Sequence, residues 1–232
     1  MPSLTNSQLL DLWENGAKLH PLDRGLLALS LMHPEKAAES LADWTLGRRN
    51  QVLLELHATL FGERLQAWAG CAACGERMEI SLDRRALLEH SAAEETITAG
   101  NNRFRLLTTR DLAEASRQAD IDSAALCLVR RCSLDSADFQ TWSSEDIEQL
   151  GDRLAAADPL AEIRLTLVCP TCQAESTETI ELTAFLWTEI EACARALLWE
   201  VHTIASAYGW TEDEILGLSP ARRAHYVEMA QA

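Results

Sequence analysis

The sequence predicts a mostly helical α+β fold in which two short β-hairpins, far apart along the chain, each present a pair of cysteines. Three observations lead there. Apolar residues recur by threes and fours over both ends of the chain, the period of a helix with one buried face. Near positions 70 and 170 the pattern changes to short strand-like stretches with turn residues between them. Cys71-Ala-Ala-Cys74 and Cys169-Pro-Thr-Cys172 lie at those two places.

In order along the chain, Thr5-Asn-Ser-Gln8 has the form of a capping box, in which side chains satisfy free amides at a helix start. Leu9, Leu10, Leu12 and Trp13 follow, and Gly16 is a natural stop. A second helix is expected from Asp23 to Met32, ending before His33-Pro34, because a residue before proline disfavours helical geometry. A third is expected from about Arg48 to Phe61, with Val52, Leu53, Leu56 and Leu60 on one face and Gly62 at its end. Leu65 to Ala69 and Met78 to Leu82 then read as strands flanking the first cysteine pair, the second alternating Met78, Ile80, Leu82 against Glu79 and Ser81. Arg103 to Leu107 reads as a strand, and Thr109 as the cap of a helix beginning near Asp111. Ala124 to Cys132 and Ser144 to Ala157 read as helices, the latter capped by Ser143 or Ser144. Ile163 to Leu167 leads into the second cysteine pair and Thr177 to Leu182 leaves it. Ala184 to Tyr208 is the longest periodic stretch, a helix of roughly 25 residues with Ile190, Cys193, Leu197, Val201, Ile204 and Tyr208 on its apolar face. Gly209 supplies a left-handed cap, Thr211 to Glu214 a second capping box, and Ser219-Pro220 the start of a last helix. The chain thus divides into a helical region 1–63, a first hairpin 64–83, a mixed insertion 84–161, a second hairpin 162–183 and a helical region 184–232.

Composition excludes several function classes. Apolar residues form 47% of the 232, enough for a packed core. The formal net charge is −16, from 36 acidic against 20 basic residues, which repels phosphate backbones and argues against nucleic-acid binding. Such a surface suits docking onto a basic protein partner. The start, Met1-Pro-Ser-Leu, lacks the basic and apolar runs of a secretory signal, and no stretch of about 20 apolar residues exists to span a membrane. With seven cysteines, an odd number, a cytoplasmic setting with reduced thiols is expected.

Two Cys-x-x-Cys turns are the strongest chemical signal. Thiolates three residues apart on a tight turn can both face one metal, while the turn's amides point at the sulfurs. Gly75 tolerates positive φ behind the first pair, and Pro170 presets the second turn. Together Cys71, Cys74, Cys169 and Cys172 form the tetrahedral sulfur set that Zn²⁺ takes in structural sites. The expectation is a split zinc ribbon binding one structural ion, with about 94 residues between the halves where ribbons usually have roughly 15–20. The competing readings are a thioredoxin-like redox pair, which needs a strand running into a helix, and metal-free core cysteines. Cys127, Cys132 and Cys193 lie in helical stretches and are expected to be core thiols.

Nothing in the sequence supports catalysis. A four-sulfur site is closed to an activating water. His20, His33, His57, His90, His202 and His225 show no protease spacing, and there is no nucleophile elbow or phosphate loop. His57 and His202 are expected at core or boundary positions. The acid pairs Glu94-Glu95 and Glu212-Asp213 are expected to be surface or helix-start charges.

The C-terminal stretch carries a resemblance. Phe185-Leu-Trp-Thr-Glu-Ile190, followed by Glu200-Val-His-Thr-Ile-Ala-Ser-Ala-Tyr-Gly-Trp-Thr-Glu-Asp-Glu-Ile-Leu-Gly-Leu-Ser-Pro-Ala-Arg-Arg-Ala-His-Tyr226, resembles the baseplate proteins of contractile phage tails and related injection particles. The nearest group is the T4-type baseplate hub assembly family. Phe61-Gly62-Glu-Arg-Leu65 matches a motif ahead of the first cysteine pair in its ribbon-bearing versions. About the last 45 residues are specific; the rest matches by pattern. The resemblance implies a non-enzymatic assembly factor or component of a baseplate hub. Its partners would be hub or tail-tube proteins, with no nucleic acid, membrane or small-molecule substrate. Trp187, Trp199, Trp210 and Tyr226, with Arg222 and Arg223, are the candidate partner anchors, since aromatics and Arg dominate interface hot spots. The alternatives are a zinc-ribbon nucleic-acid or transcription protein, with the last short helices read as helix-turn-helix, and an enzyme built on an open metal site.

Overall fold

The computed structural model describes residues 4–89, 95–135, 139 and 142–231. It is α+β and mostly helical, with three separate two-stranded antiparallel hairpins. The described chain groups into two compact units, which regroup the segments read in chain order: residues 1–24 with 184–232, and residues 25–183.

The first unit is all helical. Helix α1 (Asn6–Gly16) starts in the capping box at Thr5, whose hydroxyl accepts from the Gln8 amide while Gln8 reaches back to the Thr5 amide. It buries Leu9, Leu10 and Leu12. Its last residue is Gly16, where a Cβ would run into the indole of Trp187. That indole also carries the Arg24 guanidinium 4.7 Å above it, a cation–π contact. Helix α9 (Leu182–Tyr208) spans 27 residues, contributing from 184 onward to this unit, and stops where Gly209 takes φ +70°. Helices α10 (Glu212–Leu216) and α11 (Pro220–Ala230) begin at Thr211 and Ser219, as their capping sequences require. Ile204 of α9, Ile215 of α10 and Val227 of α11 form a small core, with Val201, Trp210 and Tyr226 packed on it. The expected stripe on α9 holds at Ile190, Leu197 and Ile204, while Tyr208 ends up exposed.

The second unit contains the end of α2 (Pro21–Met32), the short helix α3 (Ala38–Ala42) and α4 (Leu46–Phe61). Thr45 caps α4, whose first residue, Leu46, lies two positions before the start that periodicity gave. Helix α4 is buried on more than one face: alongside Leu53, Leu54 and Leu56 it buries Arg49, Asn50 and His57. Arg49 Nε donates to Asn50 Oδ1 at 3.0 Å and Asn50 Nδ2 to the Leu160 carbonyl at 2.7 Å, so these two polar groups are kept by hydrogen bonds. Strands β1 (Arg64–Gly70) and β2 (Arg77–Asp83) make the first hairpin, with Ala69 opposite Met78. Helix α5 (Arg84–Leu88) follows.

The insertion builds its own core. Strands β3 (Thr96–Ala99) and β4 (Asn102–Arg105) pair, and Ile97 and Phe104 pack on Val129, Cys132, Phe139 and Leu150. Helix α6 (Thr109–Ala115) is capped by Thr108, not Thr109, because Asp111 completes a capping box with Thr108. Helices α7 (Ile121–Cys132) and α8 (Ser144–Ala157) close the insertion, the second capped by Ser143. Asp111 is fully buried and pins these pieces together. It accepts from Arg105 at 2.6 and 2.9 Å, from Arg131 at 2.8 Å, and from the Thr108 amide and hydroxyl. Burial alone would raise its pKa. These donors outweigh burial and hold the carboxyl well below the usual range. Strands β5 (Ile163–Val168) and β6 (Glu175–Ile180) form the last hairpin.

Candidate metal centre

The two cysteine turns fold alike. Between β1 and β2, the Cys71 amide donates to the Glu76 carbonyl at 2.8 Å and the Gly75 amide to the Cys71 carbonyl at 2.8 Å. Between β5 and β6, the Cys169 amide donates to the Ala174 carbonyl at 2.9 Å and the Gln173 amide to the Cys169 carbonyl at 2.9 Å. In both, the fourth residue after the first cysteine takes the left-handed conformation: Gly75 at φ +77° and Gln173 at φ +60°. Glycine does this freely, but glutamine does so against the clash of its Cβ. The Gln173 side-chain amide reaches the Pro170 carbonyl at 3.3 Å.

The hairpin tips meet. Thr171 Oγ1 donates to Glu76 Oε2 at 3.1 Å across them. Cys71, Met78 and Cys169 form a buried patch on which Ala69, Leu167 and Ala174 pack. All four sulfurs lie within 4.8 Å of one another. The short approaches run between hairpins, Cys71 Sγ to Cys172 Sγ and Cys74 Sγ to Cys169 Sγ, each 3.6 Å. The edge of a tetrahedron with metal–sulfur bonds of ~2.3 Å is about 3.8 Å. The four sulfurs can therefore hold one metal ion with little movement. Cys71 and Cys169 are buried while Cys74 and Cys172 are exposed. Each turn thus gives one sulfur to the interior and one to the rim.

The electrostatics point the same way. The amides of Cys74 and Ala73 face the Cys71 sulfur and hold its thiol down at about 7. At Cys74 the Glu76 amide favours the thiolate. The neighbouring sulfurs of Cys172, Cys169 and Cys71, with desolvation, outweigh it and push the thiol up to about 12. Four sulfurs this close cannot all ionise without a cation among them. The redox reading fares worse, since each turn sits between two strands rather than at a strand-to-helix junction.

Of the other cysteines, Cys132 is buried, and desolvation pushes its thiol up to about 11, whereas Cys127 and Cys193 are only half-buried. His57 is a core residue as expected, its ring 5.6 Å from that of Phe61. His202, expected at the core or its boundary, lies exposed on α9. His90 and Glu94 lie outside the described residues.

Two candidate anchors need correcting. Trp187 is only 6% exposed, because it fills the space over Gly16 inside its own unit. Arg223 is buried too, donating to Glu200 at 2.6 Å and to the Leu218 carbonyl at 2.8 Å. Both are committed within the chain, Trp187 by packing over Gly16 and Arg223 by its bonds to Glu200 and Leu218. Trp199 is 51% exposed and Arg222 is exposed. Trp210 and Tyr226 are half-buried against each other, ring centroids 4.8 Å apart and nearly perpendicular, with Tyr208 beside both. No helix among the described residues is long and apolar enough to cross a membrane. Comparison of the chain with protein-family models, with curated proteins and with solved structures finds no match.

Proposed function

We propose that the ion held here is zinc, that its role is structural, and that the protein is a non-enzymatic assembly factor or component of the baseplate hub of a contractile phage tail-like particle. The observation carrying the zinc reading is the convergence of four cysteine sulfurs, and among the described residues no other ligand type, within 4.8 Å. An all-thiolate tetrahedral set selects zinc or iron–sulfur chemistry among common metals, and Zn²⁺ in such a closed set has no coordination position left for a reacting water. The ion then acts as a staple. It joins residues about a hundred positions apart, so the insertion between the hairpins folds as a closed excursion from a fixed base. The assembly reading draws on the C-terminal sequence resemblance together with the exposed side chains of that unit, Trp199 and Arg222, and the ring group of Tyr208, Trp210 and Tyr226. The net charge of −16 favours this over the nucleic-acid alternative.

Two measurements test it. Elemental analysis of purified protein should return one zinc per chain, and iron or no metal would refute the zinc assignment. Pull-down against hub and tail-tube proteins of a contractile particle should capture at least one of them in a manner lost in a Trp199→Ala, Arg222→Ala double variant. Capture of none, with particles assembling normally in a strain lacking the protein, would end the assembly reading.

A further inference from the structure

Unit two contains a cleft of about 520 Å³ that neither the metal nor the C-terminal anchors use. This volume is in the range of sites that take a ligand side chain or small group. Its apolar wall comes from Leu46, Leu106, Leu107, Leu112 and Leu154, of which Leu107, Leu112 and Leu154 remain only half-buried. Its charged groups are nearly all of one sign. Glu148 and Asp152 stand exposed on α8, and among the described residues neither has an ion-pair or hydrogen-bond partner. The one cation at the cleft among the described residues, Arg164, is bound to Glu162 at 2.8 Å and acts on Asp152 only through its longer-range field.

Two further features point to an occupant. Asp158 lines the cleft with only 3% of its surface exposed, and among the described residues its carboxylate takes one hydrogen bond, from the Gly47 amide to Oδ2 at 2.9 Å. A carboxylate has about four acceptor sites, so most of Asp158's capacity is unused in a place water barely reaches. Gly151 lies inside α8, where glycine costs about 1 kcal/mol relative to alanine. Among the described residues, no atom beyond its own turn of helix comes within 4 Å of the Cβ position at Gly151, so their packing does not demand glycine. With Glu148 three residues before it, Asp152 next to it and Ala155 four after it, Gly151 leaves one side of the cleft bare between two carboxylates.

We infer that this cleft is a docking site for a partner polypeptide segment that inserts a leucine-sized side chain against Leu112 and Leu154 and places flanking Lys or Arg side chains on Glu148 and Asp152. The apolar wall supplies binding area, the unpaired acids supply sign, and Gly151 lets the partner's backbone come close. This goes beyond the assembly reading and is independent of it, because neither the metal nor the C-terminal helices contribute a residue.

The test uses the intact zinc-loaded protein and a capped tetrapeptide probe, arginine–leucine–leucine–arginine, followed by amide and methyl NMR. Saturable shifts are expected at Gly151, Leu112 and Leu154, weakened at least about threefold on raising salt from about 0.05 to 0.3 M, since the charged rim is screened. The glutamate–leucine–leucine–glutamate peptide should give no saturable shift. Gly151→Leu should fill the cleft and abolish binding while leaving Tm unchanged or raised, because leucine is the better helix former. Glu148→Gln with Asp152→Asn should weaken binding about tenfold without changing Tm. The inference is overturned by equal binding of the acidic peptide, or by undiminished binding to Gly151→Leu. It is equally overturned if the same shifts come from calcium chloride alone or from raising protein concentration, which would assign the cleft to a cation or to a second copy.

Discussion

Gly75 and Gln173 occupy the same place in two copies of one turn, each four residues after the first cysteine of its pair and each in the left-handed region, at φ +77° and +60°. The backbone path is set by the need to aim two sulfurs inward from one tight loop. At the first tip glycine meets that demand at no steric cost. At the second a glutamine is held there by the strand pair on either side and by its bond to Pro170.

The two turns should respond oppositely to substitution. Gly75→Ala is expected to destabilise by about 1–2 kcal/mol, the cost of placing a Cβ in left-handed backbone. Gln173→Gly should be neutral or stabilising by up to about 1 kcal/mol, since relief of strain is partly offset by the freedom glycine gains when unfolded. Urea midpoints of the zinc-loaded variants decide this. A Gln173→Gly variant less stable than Gly75→Ala would contradict the account.

Removing any one sulfur should strip the metal. Cys71→Ser and Cys169→Ser are expected to lower stability by several kcal/mol, because binding energy of a structural ion is folding energy. A chelator should produce the same loss in the unaltered protein and little further loss in the variants. Thermal melts with and without chelator, paired with metal content, check it. Melts that do not respond to either change would mean that packing alone joins the hairpins.

Asp111 should make the insertion acid-sensitive. Its folded pKa lies below the unfolded value of about 3.9, so its contribution is complete above about pH 5 and is lost as pH falls through the folded pKa. Asp111→Asn should cost about 3 kcal/mol at neutral pH, since it removes the negative charge that Arg105 and Arg131 pair with and turns one acceptor oxygen into a donor; both arginines are about one-third exposed, which limits the penalty. The variant should also show a flatter fall in stability from pH 5 to about pH 2 than the parent. Denaturation midpoints across that range measure the slope, and parallel curves would refute the assignment.

Arg222 and Arg223 are neighbours in sequence with different roles. Arg223→Ala should destabilise by about 2–3 kcal/mol, because it breaks a buried charged bond to Glu200 and leaves the Leu218 carbonyl with one donor fewer. Arg222→Ala, on the exposed side of α11, should change stability by no more than about 0.5 kcal/mol. Equal effects in a melting assay would show that the buried pair contributes nothing.

Much of this molecule was legible in the chain itself, because its information is local. Thr5, Thr211 and Ser219 announce helix starts by bonding amides three residues away, and Gly209 announces an end by a conformation other residues resist. The paired cysteines are legible for the same reason: three-residue spacing on a turn is a property of that turn. Contacts with distant partners were not. The cap of α6 at Thr108, three residues before Asp111, was as local as the others and was missed, but the gathering of Arg105 and Arg131 onto Asp111 is encoded by no periodicity.

Sequence alone thus determined the longer helices, the two cysteine hairpins and which four sulfurs would be candidates, since each rests on contacts within a few residues, while the short helices α3 and α5 and the strand β3 were not read. Only the tertiary structure decided that the sulfurs of Cys71 and Cys172 lie 3.6 Å apart, that Trp187 and Arg223 face inward, and that Gly151 borders an acidic cleft. Such facts depend on how separate elements pack, and packing is settled by the whole chain burying its apolar surface at once.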